Sequence, residues 1–294
     1  GYRLKQPINV SGLGAIRLRM HEQDADPILQ LVCCRNIPTA GWIKFSGKPV
    51  PSESQITSCD YEYCCSYKSL NPVDSDALPM CKVMGFDIEV NSTNPNTMPN
   101  ADRPGDKVFQ ISCVSGYLDQ PIEEYKEYIL SLGNPDQEGT GKKVTIIRCE
   151  TEADVLTGFT DLVRTEAPNM LVGYNIMGFD FPYMVARAKS NLCIFTFDQL
   201  GFHKYAHSKE REIKWSSSAY KNQKFSFLDA EGRLVVDLLP LVKRDFTKMN
   251  TYSLKNICSQ FLGETKDPLT AKGIFKCYRI GTRKNENGEY SKAA

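Results

Sequence analysis

Asp87 and Glu89 stand two residues apart in the run Lys82-Val83-Met84-Gly85-Phe86-Asp87-Ile88-Glu89-Val90, and a third acid, Asp180, follows Gly173-Tyr174-Asn175-Ile176-Met177-Gly178-Phe179. In an extended strand residues i and i+2 project from one face, so the first two carboxylates share a side. The apolar residues around them predict a central, largely buried strand. Two buried carboxylates side by side repel each other and are costly to desolvate. A divalent cation relieves both burdens, and hard oxygen ligands suit Mg²⁺ or Mn²⁺. The plain alternative is two solvated acids at a strand end, which D-x-E alone does not exclude. Asp180 likewise has a plain reading, as the cap of a helix. A third acid at a strand-to-helix junction is also what a two-metal phosphodiester hydrolase requires, because about three or four carboxylates hold two ions about 4 Å apart.

The elements that must carry these residues are legible in outline. Lys82 to Val90 reads as a strand, followed by a loop rich in Pro, Asn and Gly from Asn91 to Gly105. Val108 to Tyr117 and Val144 to Cys149 read as further strands. Thr151-Glu152-Ala153-Asp154 opens a helix with capping-box character, and Val155, Leu156, Phe159, Leu162 and Val163 fall on one face of it before Pro168 ends it. Met170 to Tyr174 is a short buried strand that delivers Asn175, and a helix starts near Phe181-Pro182. Phe225 to Leu228 and Arg233 to Leu238 flank Asp229-Ala230-Glu231-Gly232, a hairpin signal. Tyr252 to Leu262 has helical spacing and stops at Gly263. Strands followed by strand–helix alternation predict an α/β domain with a mixed sheet. Residues 1–80 carry short apolar runs such as Ile28-Leu29-Gln30-Leu31-Val32-Cys33 between turn-formers, which predicts a partial β-rich unit.

The bulk properties exclude little. The 294 residues are 41% hydrophobic and 24% charged with a formal net charge of +1, as in a soluble globular protein without a global basic field. No apolar run reaches the roughly 18 residues needed to span a bilayer. The first residues lack a signal-peptide core, so the expectation is an intracellular protein without a membrane role. Of eleven cysteines, Cys113, Cys149 and Cys258 lie in apolar settings as small hydrophobes. Cys33-Cys34, Cys59 and Cys64-Cys65 form no C-x-x-C pair, so reduced thiols are the reading for them. The segment from His203 to Lys224 gathers Lys204, Lys209, Arg211, Lys214, Lys221 and Lys224 with Tyr205, Trp215 and Tyr220. Such a mixture suits phosphate attraction and base stacking along a single strand, and equally an ordinary solvated surface. A Gly start and a polar, turn-rich end give the expectation of a fragment.

Phe86-Asp87-Ile88-Glu89 resembles the first exonuclease motif of family-B DNA polymerases, and Gly173 to Tyr183 resembles the second. Asp106 to Ser112, Gly232 to Leu239, Asn250 to Ile257 and the N-terminal Asn36-Ile37 with Gly41-Trp42-Ile43 are similar to further stretches of that family, in its order. The likeness is greatest to the eukaryotic delta type and to polymerases of large DNA viruses, with Asp267 to Arg279 leaning toward the viral group. The resemblance implies a ribonuclease-H-like exonuclease domain with a mixed sheet over 81–294, preceded by a partial β-rich N-terminal domain over 1–80. It implies a catalytic and metal-binding role for Asp87, Glu89 and Asp180, two Mg²⁺ or Mn²⁺ ions, and hydrolysis of mismatched primer ends. Tyr174 and Asn175 match positions that hold the terminal nucleotide, and Lys214, Trp215, Lys221 and Lys224 are the expected DNA contacts on the basic segment. Asp237 is read as a structural acid, and the turn at Asp229 to Gly232 falls where the family has a strand-separating hairpin.

The implied partners are a DNA primer–template, a single-stranded 3′ end and a processivity factor, at the nucleus or a viral replication site in the cytoplasm. The family's third motif, Tyr-x-x-x-Asp, is not found, since Tyr290 is followed by Ser291-Lys292-Ala293-Ala294; the palm aspartates are not found either. The expectation is therefore a parent polymerase with proofreading and a chain that alone has little activity of either kind. Two alternatives stay open: a stand-alone ribonuclease-H-like 3′→5′ exonuclease, and a non-catalytic DNA-binding module.

Overall fold

The computed structural model describes residues 2–3, 6–17, 19–20, 26–135, 144–217, 221–264 and 269–290. The chain divides into two compact units, one of residues 1–55 with 60–78 and one of residues 56–59 with 79–294.

The first unit is built from small antiparallel pairs: Tyr2–Arg3 with Arg19–Met20, Ile8–Val10 with Gly14–Ile16, Trp42–Lys44 with Asn71–Val73, and Gly47–Pro49 with Tyr63–Cys65. Its apolar run is not a strand. Pro27–Arg35 is a helix, with Pro27 in its first turn and the Asp26 carboxylate accepting from the amides of Ile28 and Leu29. Those two signals, an Asp cap and a proline at the first helical position, outweigh the apolar composition that suggested a strand. Arg35 at the helix end donates to the carbonyls of Lys68 and Leu70 and to Asn71, tying the helix to the strand Asn71–Val73.

The second unit is organised by period-2 alternation along β1, Lys82–Val90. Met84, Phe86, Ile88 and Val90 are buried, whereas Asp87 is exposed and Glu89 half-buried. Beside it lie β2 (Val108–Tyr117), β3 (Lys126–Leu132) and β4 (Val144–Cys149). Helix α1 (Glu152–Glu166) leads to β5 (Met170–Gly173), and α2 (Asp180–Ser190) and α3 (Ile194–Phe197) follow. Next come β6 (Lys209–Ser217), β7 (Lys221–Asp229), β8 (Leu234–Asp237), α4 (Leu238–Asp245), α5 (Leu254–Phe261) and α6 (Ala271–Gly281). The six-stranded sheet has the order β4-β3-β2-β1-β5-β8, antiparallel at β3-β2 and β2-β1 and parallel elsewhere. This is the mixed α/β sheet expected for a ribonuclease-H-like exonuclease domain.

The buried face of β1 packs on α1 and α2. Phe86 sits 5.1 Å from the Phe159 ring and 5.3 Å from that of Phe181. Each such buried side chain contributes about 1.5–3 kcal/mol, which fixes the strand between the two helices. The capping box forms as its sequence predicts: Thr151 Oγ1 accepts from the Asp154 amide, and the Asp154 carboxylate accepts from the Thr151 amide. β3 has no counterpart in the sequence reading, because its start, Lys126-Glu127, is polar.

The expected hairpin at Asp229 to Gly232 is not formed. The turn itself exists, with Gly232 at φ 85° and the Arg233 amide donating to Ala230. The strand after it, β8, runs parallel to β5 in the large sheet. The strand before it, β7, pairs antiparallel with β6, from Lys209 opposite Asp229 to Ser217 opposite Lys221. Turn chemistry marks a change of direction but cannot say which partner receives the next strand.

Candidate active site

Three elements meet at the acids. β1 is central, and Asp87 lies opposite Ser112 of β2 while Glu89 lies opposite Gln110. Asp180 is the first residue of α2, whose cap position is Phe179. Its carboxylate is 3% exposed and accepts from the amide of Ile88 at 3.2 Å. Ile88 is the residue between Asp87 and Glu89, so the third acid is fastened to the backbone that carries the other two. Burial pushes the Asp180 carboxyl up to about 7, with Asp87 and then Asp237 adding to the rise and the Ile88 amide opposing it. The expectation of a buried Asp87–Glu89 pair needs correcting. The apolar neighbours Phe86 and Ile88 point to the opposite face, so their burial says nothing of the acids, and the desolvated carboxylate is Asp180. Among the described residues, no three His, Cys, Asp or Glu side chains cluster closely enough to hold a metal ion.

The turn before α2 is held by Asp237. Its carboxylate accepts from the amides of Asn175 at 2.8 Å, Met177 at 3.0 Å and Leu239 at 3.0 Å. It thereby caps α4 and clamps the turn at once, with the strength of charge-assisted hydrogen bonds. Asn175 adopts φ 65°, a left-handed conformation tolerated by Asn. Its carbonyl accepts from the amides of Gly178 and Phe179. A Cβ on Gly178 would strike the Asn175 side-chain oxygen, so a larger residue there would displace that amide. Tyr174 donates its hydroxyl to the Tyr252 carbonyl at 2.5 Å, which binds the turn to the segment before α5. Burial raises its phenol above the ordinary value.

The expected DNA contacts divide. Lys224 lines a cleft of about 160 Å³ together with Asn175 and Gly178, so two of them meet. Lys214 lies opposite Lys224 across the β6–β7 ladder, and Glu212 bridges both ammonium groups, at 3.1 Å to Lys214 and 2.7 Å to Lys224. The backbone of Trp215 and Lys221 belongs to β6 and β7, but their side chains lie outside the described residues, as does all of Tyr220. The sequence reading missed Lys243, which lines the same cleft from α4. Nothing local marks it, since a lysine in the last turn of a helix is ordinary.

The profile of DNA polymerase family B, exonuclease domain, matches residues 18–257. The chain belongs to DNA polymerase family B. It is 45% identical to DNA polymerase 120R of Invertebrate iridescent virus 3 over 95% of this chain and 25% of that protein. It is 38% identical to DNA polymerase 037L of Invertebrate iridescent virus 6, over 96% of this chain and 23% of the relative. With the DNA polymerase delta catalytic subunit of Schizosaccharomyces pombe it shares 31% identity, over 73% of this chain and 19% of the relative. The chain thus spans about a quarter of the length of the viral relatives it matches. The viral leaning of the sequence agrees with these identities. Beyond the matched residues, the Tyr290 hydroxyl donates to the Glu150 carbonyl at 2.5 Å.

Proposed function

We propose that residues 81–294 are most of the 3′→5′ proofreading exonuclease of a longer replicative DNA polymerase, and that residues 1–80 belong to its N-terminal domain. The observation that carries the reading is the junction of Asp180 with β1. A carboxylate raised to about 7 by burial and then by Asp87 is a charge that a cation would relieve. Carboxylate oxygens of this kind fit a hard divalent cation, Mg²⁺ or Mn²⁺. Asp87, Glu89 and Asp180 would supply its oxygen ligands, drawing together more closely than they stand among the described residues; when bound, such ions supply Lewis-acid stabilisation of charge at a phosphodiester. The chain's own part is to fix the acids on one strand and one helix start, and to present Asn175 and Tyr174 on the clamped turn where a 3′ nucleotide would lie. The substrate is a mismatched single-stranded 3′ end from a primer–template. The wider partners of this reading are a processivity factor and the DNA of a nuclear or viral cytoplasmic replication site.

The test is Asp87→Ala in the full-length polymerase. Mg²⁺-dependent removal of a 3′ mismatch should be lost while nucleotide insertion continues. Equal loss of both activities would contradict the division of labour.

A further inference from the structure

We infer that the cleft between the Asn175–Gly178 turn, β7 and α4 is a phosphodiester subsite for the DNA strand, with Lys243 as its principal cation; this rests on the exonuclease reading above. Three elements are tied together at one point. Asp237 grips the turn and the start of α4 through the Asn175, Met177 and Leu239 amides. The Met177 carbonyl in turn accepts from the Ser226 amide of β7 at 2.9 Å. The walls that result are Phe225, Leu239 and Pro240, with Asn175, Lys224 and Lys243 as the polar groups. Leu239 and Lys243 are four apart on α4 and share its face.

The donor set selects an anion. An ammonium group has three donors and no acceptor, and a primary amide adds two more donors. Lys243 is half-buried, and no ion pair or side-chain hydrogen bond is made by it among the described residues. Lys224 is already engaged by Glu212, which also holds Lys214. The nearby acids are committed elsewhere: Asp237 to three amides, and Asp245 to Arg244 at 2.7 Å. A half-buried lysine without a counter-charge, above an apolar wall, suits a phosphate whose sugar and base rest on Phe225, Leu239 and Pro240. The cleft adjoins the turn that leads directly into Asp180, so a strand seated there would run toward the acids.

The experiment measures binding of a 5′-labelled single-stranded oligothymidylate to the chain by fluorescence anisotropy across a salt series, with EDTA present so that no hydrolysis intervenes. Lys243→Ala should weaken binding about fivefold and lower the slope of log affinity against log salt by about 0.7, the loss of one phosphate contact on a single strand. Lys243→Arg should keep the slope, and Lys243→Glu should lower the affinity further. An unchanged slope in Lys243→Ala would overturn the subsite. If Asp87→Ala still abolished mismatch removal, the exonuclease reading would stand without it. A chain that binds no oligothymidylate would overturn the subsite, and retained mismatch removal in Asp87→Ala would remove the reading beneath it.

Discussion

Asp180 and Asp237 are both aspartates, both buried, and both within reach of one another, yet they serve opposite ends. Asp237 is satisfied by three backbone amides, and such a carboxylate stabilises the fold. Asp180 is desolvated, and Asp87 adds a like charge that the backbone amides do not offset, so its carboxyl is pushed up to about 7. An acid raised on folding favours the protein only when protonated; its contribution falls as pH climbs from the ordinary 3.8 through about 7. Asp180→Asn should therefore stabilise the metal-free chain at pH 8 by about 1–2 kcal/mol, because it removes a desolvated charge. Thermal melts in EDTA would read this as a higher Tm, and a lower Tm would show that the carboxylate is a structural bond instead. The sequence announced Asp180 but not its burden, because that comes first from burial in the folded chain and then from Asp87, ninety-three positions earlier.

At the scale of elements, the loop from Asn91 to Lys107 links the acid strand to β2, and it is pinned by groups far away in sequence. Arg187 of α2 donates to the carbonyls of Ala101, Arg103 and Pro104 and pairs with Glu152 of α1 at 2.5 Å, both side chains almost fully buried. Glu152 also accepts from the amide of Val108, at the start of β2. Asp106 anchors the same loop, accepting from Thr93 and Asn100, while Tyr183 of α2 donates to its carbonyl. Arg187→Met should cost about 3–5 kcal/mol, because it leaves Glu152 buried without its counter-charge. Adding Glu152→Gln should recover part of that loss in chemical denaturation, and strict additivity of the two would contradict the pairing. Gly173 plays a complementary role: a Cβ there would lie 2.9 Å from the Phe86 carbonyl, so glycine lets β5 close on β1. Periodicity signalled the helices at Glu152–Glu166 and Leu254–Phe261 and several strands of the large sheet, but not the helices Ile194–Phe197 and Leu238–Asp245. The sequence reading misassigned Pro27–Arg35, where the local Asp26 cap and Pro27 outweigh the apolar run, and the hairpin at Asp229 to Gly232, where tertiary pairing decided the partner strands.

For the molecule as a whole, acid stability should depend on a group remote from the candidate site. Glu166, at the end of α1, is 6% exposed and receives Lys82 of β1 at 2.7 Å, Lys126 of β3 at 3.0 Å and the Tyr128 hydroxyl at 2.5 Å. Burial alone would raise its carboxyl, but these donors overcome it and hold the group down to about 2. The stabilisation is full above the ordinary 4.5 and is lost as pH falls toward about 2. Glu166→Gln should remove about 2 kcal/mol at neutral pH and flatten the acid limb of the stability curve. An acid limb identical to that of the unaltered chain would assign acid unfolding to other carboxylates. What the sequence by itself determined is the family and the mixed α/β class, with Asp87, Glu89 and Asp180 as candidate site residues. Those follow from residue types at fixed spacing, which alternation along a strand and capping at a helix start make readable. Only the tertiary structure decided which acid is desolvated, which strands pair, and that Lys243 shares a cleft with Asn175 and Lys224. The physical reason is that burial, repulsion and clefts arise between segments distant in the chain, and local spacing carries no record of where those segments meet.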